Sequence, residues 1–168
     1  ADPEVDVVYI ATPHHLHKRD TIACAKTGKG ILCEKPFTLN LGEAREALAA
    51  VKQANVFYME AFMYRCSPQS AKVREWIQSG LIGEVLTVHS EFAYPANENS
   101  DGFRNDNAVG GGCLMDVGTY CVSLSRMAFG AEPWDLLYRT LRNSKGVDWI
   151  GSGLMVFPTY RTATFTCG

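Results

Sequence analysis

Val5-Asp6-Val7-Val8-Tyr9-Ile10-Ala11-Thr12-Pro13 opens the stretch whose reading decides the fold. Gly30-Ile31-Leu32-Cys33-Glu34-Lys35-Pro36 and Val56-Phe57-Tyr58-Met59-Glu60 complete it. The three runs are short and rich in β-branched or aromatic residues, the kind that fills buried parallel strands. Thr12-Pro13 breaks the first run and Pro36 marks the exit of the second, because proline has no N–H for a sheet ladder. A helical stretch with Leu16, Ile22, Ala23 and Ala25 lies between them and stops before Gly28. A second helix follows, with Asn40 as its N-cap and Glu43 three residues on, as in a capping box. Leu41, Ala44, Leu48 and Val51 are expected to form its apolar stripe. Strand, helix, strand, helix, strand at this spacing predicts parallel βαβ units, the second half of a doubly wound sheet. No G-x-G-x-x-G occurs in the chain, so this is not the half that cradles phosphates.

The pattern changes after Glu60. Ser67-Pro68 pairs an N-cap with proline in the first turn and opens a helix with Val73, Trp76 and Ile77 that ends at Gly80. Leu86 to Tyr94 alternates, with Leu86, Val88, Phe92 and Tyr94 on one face. A polar loop, 95–109, leads to Gly110-Gly111-Gly112 and a helix to about Phe129, with Leu114, Val117, Cys121, Leu124 and Ala128 as its packing stripe. Strands are expected over 134–141, 154–157 and 162–167. The fold class is thus α/β: part of a Rossmann-type parallel sheet in residues 1–62, then part of an α+β domain with an antiparallel sheet in residues 63–168.

A net charge of −2, with no basic stripe, argues against nucleic acid as a partner. No apolar run approaches the roughly 20 residues that cross a bilayer, and no basic and apolar leader opens the chain. The six cysteines form no C-x-x-C pair, so free, mostly buried thiols in a reducing cytoplasm are expected, with no metal site. His14-His15-x-His17 also suggests a metal cluster at first sight. Adjacent histidines opening a helix do not point one way, however, and no suitably spaced carboxylate or cysteine accompanies them.

Three residues could carry chemistry. Lys35 follows a parallel strand at its carboxyl end, the edge where open α/β sheets bind ligands; an exposed lysine beside a loop proline fits that position equally well. Asp116 and Tyr120 lie four residues apart on the helix after the glycines, so their side chains share a face. The glycines are expected to let backbone approach a ligand closely. A tyrosine held by a carboxylate and a lysine suits proton transfer from an alcohol. The plainer reading has Asp116 stabilising the helix's first turn and Tyr120 as a half-buried aromatic.

Val8-Tyr9-Ile10-Ala11-Thr12-Pro13, His17, Gly28-Lys29, Glu34-Lys35-Pro36, Met59-Glu60-Ala61-Phe62-Met63-Tyr64-Arg65 and Gly110-Gly111-Gly112-Cys113-Leu114-Met115-Asp116-Val117-Gly118-Thr119-Tyr120 together resemble the glucose-fructose oxidoreductase and inositol dehydrogenase (Gfo/Idh/MocA) family. The motifs stand in that family's order and at its distances over nearly the whole chain. The resemblance is strongest to members acting on aldoses or trans-dihydrodiols, such as xylose and dimeric dihydrodiol dehydrogenases. It implies an NAD- or NADP-dependent oxidoreductase that moves a hydride between nicotinamide and a sugar, polyol or trans-dihydrodiol hydroxyl. Lys35 would be the catalytic lysine. Tyr120 would be the general acid/base, where many relatives use histidine, and Asp116 would bind substrate or orient the tyrosine. Thr12, Pro13, His17, Glu34, Lys35, Pro36 and Arg65 would line the cofactor; Lys35, Arg104, Asp116 and Tyr120 would meet the substrate. Asn97-Glu98-Asn99-Ser100-Asp101 could add polar groups for several hydroxyls, or be a solvated loop.

A homo-oligomer formed through the antiparallel sheet is also implied. The alternative is a non-catalytic relative that keeps the fold and binds a sugar or a partner. Both ends read as cuts within sheets, so residues 1–168 alone are expected to be inactive, to bind NAD(P) weakly and to self-associate along open strand edges.

Overall fold

The computed structural model describes residues 2–97 and 102–168. The chain divides into two compact units, Ala1–Phe62 with Ala108–Gly110, and Met63–Asn107 with Gly111–Gly168.

In the first unit, β1 (Val7–Ile10), β2 (Gly30–Cys33) and β3 (Tyr58–Glu60) form a parallel sheet in that order. α1 (His17–Lys26) and α2 (Leu41–Ala54) pack together and connect the strands. Ile10, Ala25, Ile31, Cys33 and Val51 make one buried core. β1 is shorter than the apolar run expected for it and is not buried throughout. Val7 and Tyr9 are 56% and 57% exposed while Ile10 is buried, because successive strand residues face opposite sides and the core occupies one of them. The Asn40 cap is present: its side chain accepts from the Glu43 N–H at 3.0 Å. Glu43 in turn accepts from the Leu39 N–H, and Asn55 closes α2 in the left-handed conformation at φ 51°. The apolar stripe is rotated from the expected one. Ala47 and Val51 are buried, whereas Leu41 and Leu48 stand exposed, since small residues let α2 lie close to its neighbours.

In the second unit, α3 (Pro68–Gln78) carries the expected Ser67 cap, which accepts from the Ser70 N–H, and no residue of this helix is buried. β4 (Thr87–Phe92), β5 (Asp135–Arg142), β6 (Asp148–Val156) and β7 (Thr162–Cys167) form one sheet in the order β4-β7-β6-β5. β5, β6 and β7 are antiparallel as expected; β4 joins β7 in parallel, so the sheet is mixed. β6 begins six residues earlier than the apolar pattern suggests, because Gly151 and Gly153 interrupt that pattern. A Cβ on Gly151 would overlap the Tyr138 phenol, and one on Gly153 would overlap the Phe165 ring. Those two rings stack 6.0 Å apart over the glycines.

One turn of π-helix, Leu114–Gly118, leads into α4 (Thr119–Phe129) and lies against this sheet. Cys113, Val117, Cys121 and Phe129 supply the helical side of the core, and Met155, Phe157, Ala163, Phe165 and Cys167 supply the rest. Leu114, Leu124 and Ala128, expected in the packing stripe, are only half-buried. The wider π turn shifts which residues after Cys113 point inward.

Candidate active site

The residues after β1 and β2 stand at the carboxyl edge of the parallel sheet. Thr12 and Pro13 follow β1; Glu34, Lys35 and Pro36 follow β2. His17 lies between the two loops, fully buried. Its Nδ1 is 2.8 Å from the Pro36 carbonyl oxygen and its Nε2 is 2.7 Å from that of Thr12. Asp20 lies one turn on and accepts from the Thr12 hydroxyl at 2.9 Å. Burial alone would raise the Asp20 carboxyl. Hydrogen bonds from Arg19 and Thr12, with the charges of Arg19 and His17, bring it below its ordinary value.

His17 is therefore a clamp that fixes the two loops. Its ring nitrogens are already engaged and cannot also face a ligand. His14 is likewise buried, with Nδ1 2.9 Å from the Gly110 carbonyl oxygen. Glu34 accepts from the Tyr9 hydroxyl at 2.6 Å and from the Lys35 N–H at 3.2 Å. Glu60, which sequence reading used only as a strand end, accepts from the Phe37 N–H at 2.9 Å and holds the chain just after Pro36.

In the second unit, Asp116 is 6% exposed, and its Oδ2 accepts from Tyr94 and Arg104. Tyr94 donates its hydroxyl at 2.5 Å and Arg104 donates Nε at 2.9 Å. The buried carboxylate is thus matched by a cation and a hydroxyl, as a charge out of water must be. Burial first, and then the bond to Asp116, pushes the Tyr94 phenol up to about 12. Asp116, Tyr94, Arg104 and Asn105 line a cavity of ≈ 220 Å³. Sequence reading missed Tyr94 in this role. It shares the expected strand face, but nothing local ties it to a carboxylate 22 residues away.

Tyr120 is half-buried and opens on a different cleft of ≈ 250 Å³, with Tyr64, Phe92 and Leu124. Its ring centroid lies 5.5 Å from that of Phe92 and 6.2 Å from that of Tyr64. Arg65 points to α4, with one guanidinium nitrogen 3.0 Å from the Ser123 hydroxyl. The structure brings Arg104 to Asp116, while Tyr120 lies on α4 and Arg65, in the turn Met63–Cys66, reaches α4 at Ser123. In the polar loop, the Asn97 carbonyl accepts from the Asn105 amide at 3.1 Å; Glu98, Asn99, Ser100 and Asp101 lie outside the described residues.

The triple glycine serves packing within the protein. Gly110 and Gly112 have φ of +81° and +112°, which side-chain-bearing residues rarely adopt. A Cβ on Gly111 would crowd the carbonyl oxygens of Phe103, Arg104 and Asp106, and one on Gly112 would collide with the Asp148 carboxylate. The space expected for a ligand beside Gly111 and Gly112 is filled by the chain itself.

A parallel sheet with a fixed loop pair at its carboxyl edge, followed by a mixed sheet, is the arrangement of a Rossmann-type fold joined to an α+β domain. Residues 1–62 match the oxidoreductase family with an NAD-binding Rossmann fold, and residues 70–168 match the GFO/IDH/MocA C-terminal domain. The chain belongs to the GFO/IDH/MocA family of oxidoreductases. It is 37% identical over 167 residues to trans-1,2-dihydrobenzene-1,2-diol dehydrogenase of Mus musculus, covering 99% of this chain and 50% of that protein.

Among solved structures, it superposes on an aldose-aldose oxidoreductase from Caulobacter crescentus complexed with glycerol. The TM-score is 0.93 at 27% identity, covering 99% of this chain and 51% of that one. A levoglucosan dehydrogenase in complex with NADH and levoglucosan matches at a TM-score of 0.89 and 29% identity, over 98% of this chain and 48% of that one. The chain spans about half the length of the curated relatives it matches. Among the described residues no helix is long and apolar enough to cross a membrane.

Proposed function

We propose that this chain contributes nicotinamide-side and substrate-side residues to an NAD- or NADP-dependent dehydrogenase that oxidises a CH–OH group of a sugar, polyol or trans-dihydrodiol. The observation that carries this reading is the buried Asp116, held by Tyr94 and Arg104 at the head of the helix that also bears Tyr120. The membership of a family with an NAD-binding Rossmann domain gives it its cofactor. The fit to a dinucleotide rests on His17, which fixes Thr12 and Pro36 at the carboxyl edge where open α/β sheets take their ligands. Nicotinamide, when bound, supplies the hydride acceptor.

The roles of this chain's residues then follow. Thr12, Pro13, Glu34, Lys35 and Pro36 line the nicotinamide side, with His17 behind them as the clamp. Lys35 holds the substrate hydroxyl and favours the alkoxide by its charge. Tyr120 takes the hydroxyl proton. Asp116, paired with Arg104, accepts hydrogen bonds from substrate hydroxyls, and Arg104 forms part of the same rim. Arg65 holds α4 through Ser123 and supports the site from that side. The substrate is a small polyhydroxylated compound, an aldose ahead of a cyclic diol, whose hydroxyls the Asp116 carboxylate and the Arg104 guanidinium can meet. In the longer protein, the outer face of the second sheet, where Leu137, Leu141 and Ile150 are exposed, is the surface for self-association.

The test is a screen of pentoses, hexoses and trans-dihydrodiols with NAD and NADP, using the full-length polypeptide. Reduction of either cofactor by one of these classes is expected. Turnover confined to 2-hydroxy acids or amino acids would refute the substrate assignment. Tight sugar binding without any cofactor reduction would point to a non-catalytic relative.

A further inference from the structure

We propose that Cys113 and Cys167 form a peroxide-responsive dithiol site, closing to an intramolecular disulfide when a small hydroperoxide reaches them. The two sulfurs lie 3.6 Å apart, between the residue that opens the π turn and the end of β7. A disulfide bond is about 2.05 Å long, so closure asks for a movement of roughly 1.5 Å. Gly118 makes the approach possible: a Cβ there would lie 2.9 Å from the Cys167 sulfur.

The surroundings are polar, unlike those of an ordinary buried cysteine. Asp148 Oδ2 accepts from the Cys113 thiol at 3.3 Å, from the Tyr138 hydroxyl at 3.1 Å and from the Leu114 N–H at 2.8 Å. The Tyr138 hydroxyl is also 3.9 Å from the Cys167 sulfur. Cys113 lines the ≈ 220 Å³ cavity that holds Asp116, and Cys167 lines an adjoining one of ≈ 540 Å³, which gives a small oxidant a way in. Cys33, by contrast, is held in the core of the first unit, where burial pushes its thiol up to about 12.

The Cys113 thiol points at Asp148, and the contact with Cys167, burial and that carboxylate hold it protonated. The contact with Cys113 along the S···S line, with Tyr138 nearby, outweighs burial and lowers Cys167. Cys167 is therefore the attacking sulfur. Its thiolate takes the distal oxygen of the hydroperoxide, the O–O bond breaks, and the alkoxide leaves as an alcohol after protonation. The sulfur of Cys113 then attacks the Cys167 sulfenic acid, its proton combines with the departing hydroxide, and water leaves as the S–S bond forms. Overall, two thiols and one hydroperoxide give one disulfide, one alcohol and one water.

The test uses hydrogen peroxide on the full-length protein carrying Cys66→Ser, which removes the exposed thiol. After treatment, denaturation and alkylation, two fewer thiols should be modified. Peptide mapping should join the Cys113 and Cys167 peptides, and dithiothreitol should restore both. The link should persist in Cys121→Ser and vanish in Cys113→Ser, where a dimedone-reactive sulfenic acid should appear at Cys167. Two unreacted thiols under peroxide that oxidises free cysteine, or Cys167 passing to sulfinic acid with Cys113 still reduced, would overturn the proposal. The readout is mass and does not depend on the dehydrogenase reading.

Discussion

Tyr94 donates its hydroxyl to Asp116 Oδ2 at 2.5 Å and shares that oxygen with Arg104. A strand-end tyrosine and a loop arginine thus converge on one buried carboxylate. Tyr94→Phe should destabilise the fold by roughly 1–2 kcal/mol, the low side of the range for a bond to a charged group, because Tyr94 is 40% exposed. The tyrosine also sets an alkaline limit. Its phenol is raised from 10.0 to about 12, so the folded state favours the protonated form. That contribution is intact below pH 10 and is lost as pH rises through about 12. Ultraviolet titration of phenolate should lose a step near pH 12 in Tyr94→Phe, while Tyr58 and Tyr138, which burial pushes up further, stay protonated there.

His17 offers a stability test independent of activity. Its ring is fully buried and engages the carbonyls of both Thr12 and Pro36. His17→Ala should cost about 2–4 kcal/mol, from two orphaned acceptors and a cavity beneath the loops. Denaturant unfolding measures this. A midpoint equal to wild type would show that the clamp is not needed.

The first unit was legible in the sequence to within a residue or two, because proline, glycine and capping signals punctuate it. The second unit was legible as strands and helices but not in its details. β6 hid its first half behind Gly151 and Gly153, whose value lies in aromatic rings contributed by β5 and β7. The Asp116 partners were hidden for the same reason: Tyr94 and Arg104 reach it through tertiary contacts that no local spacing encodes. His17 stood out as a polar residue in a motif. Only its two hydrogen bonds distinguish a clamp from a ligand.

Gly153→Ala tests that account of β6. The added methyl would overlap the Phe165 ring, which is 5% exposed and stacked on Tyr138. Displacing a packed ring should cost about 1–3 kcal/mol. Thermal unfolding decides it, and an unchanged midpoint would mean the ring moves without penalty.

Lys35 and Asp116 should differ in their kinetic weight. Lys35 is proposed to serve both cofactor and substrate, while Asp116 binds or orients. Lys35→Met should therefore lower kcat/KM more than Asp116→Asn does, with the cofactor KM raised in the lysine variant alone. Steady-state kinetics on the full-length polypeptide would show this ordering; a fully active Lys35→Met protein would be incompatible with it.

The central claim is that Tyr120 moves the proton during hydroxyl oxidation. The most direct measurement is pre-steady-state and steady-state formation of NADH or NADPH by the full-length polypeptide and its Tyr120→Phe variant, on the best substrate of the screen. Loss of a positioned acid/base should lower turnover by roughly 10²–10⁴. Cofactor affinity should change little, because the ring's packing against Tyr64 and Phe92 survives without the hydroxyl. Wild-type turnover in Tyr120→Phe would contradict the account.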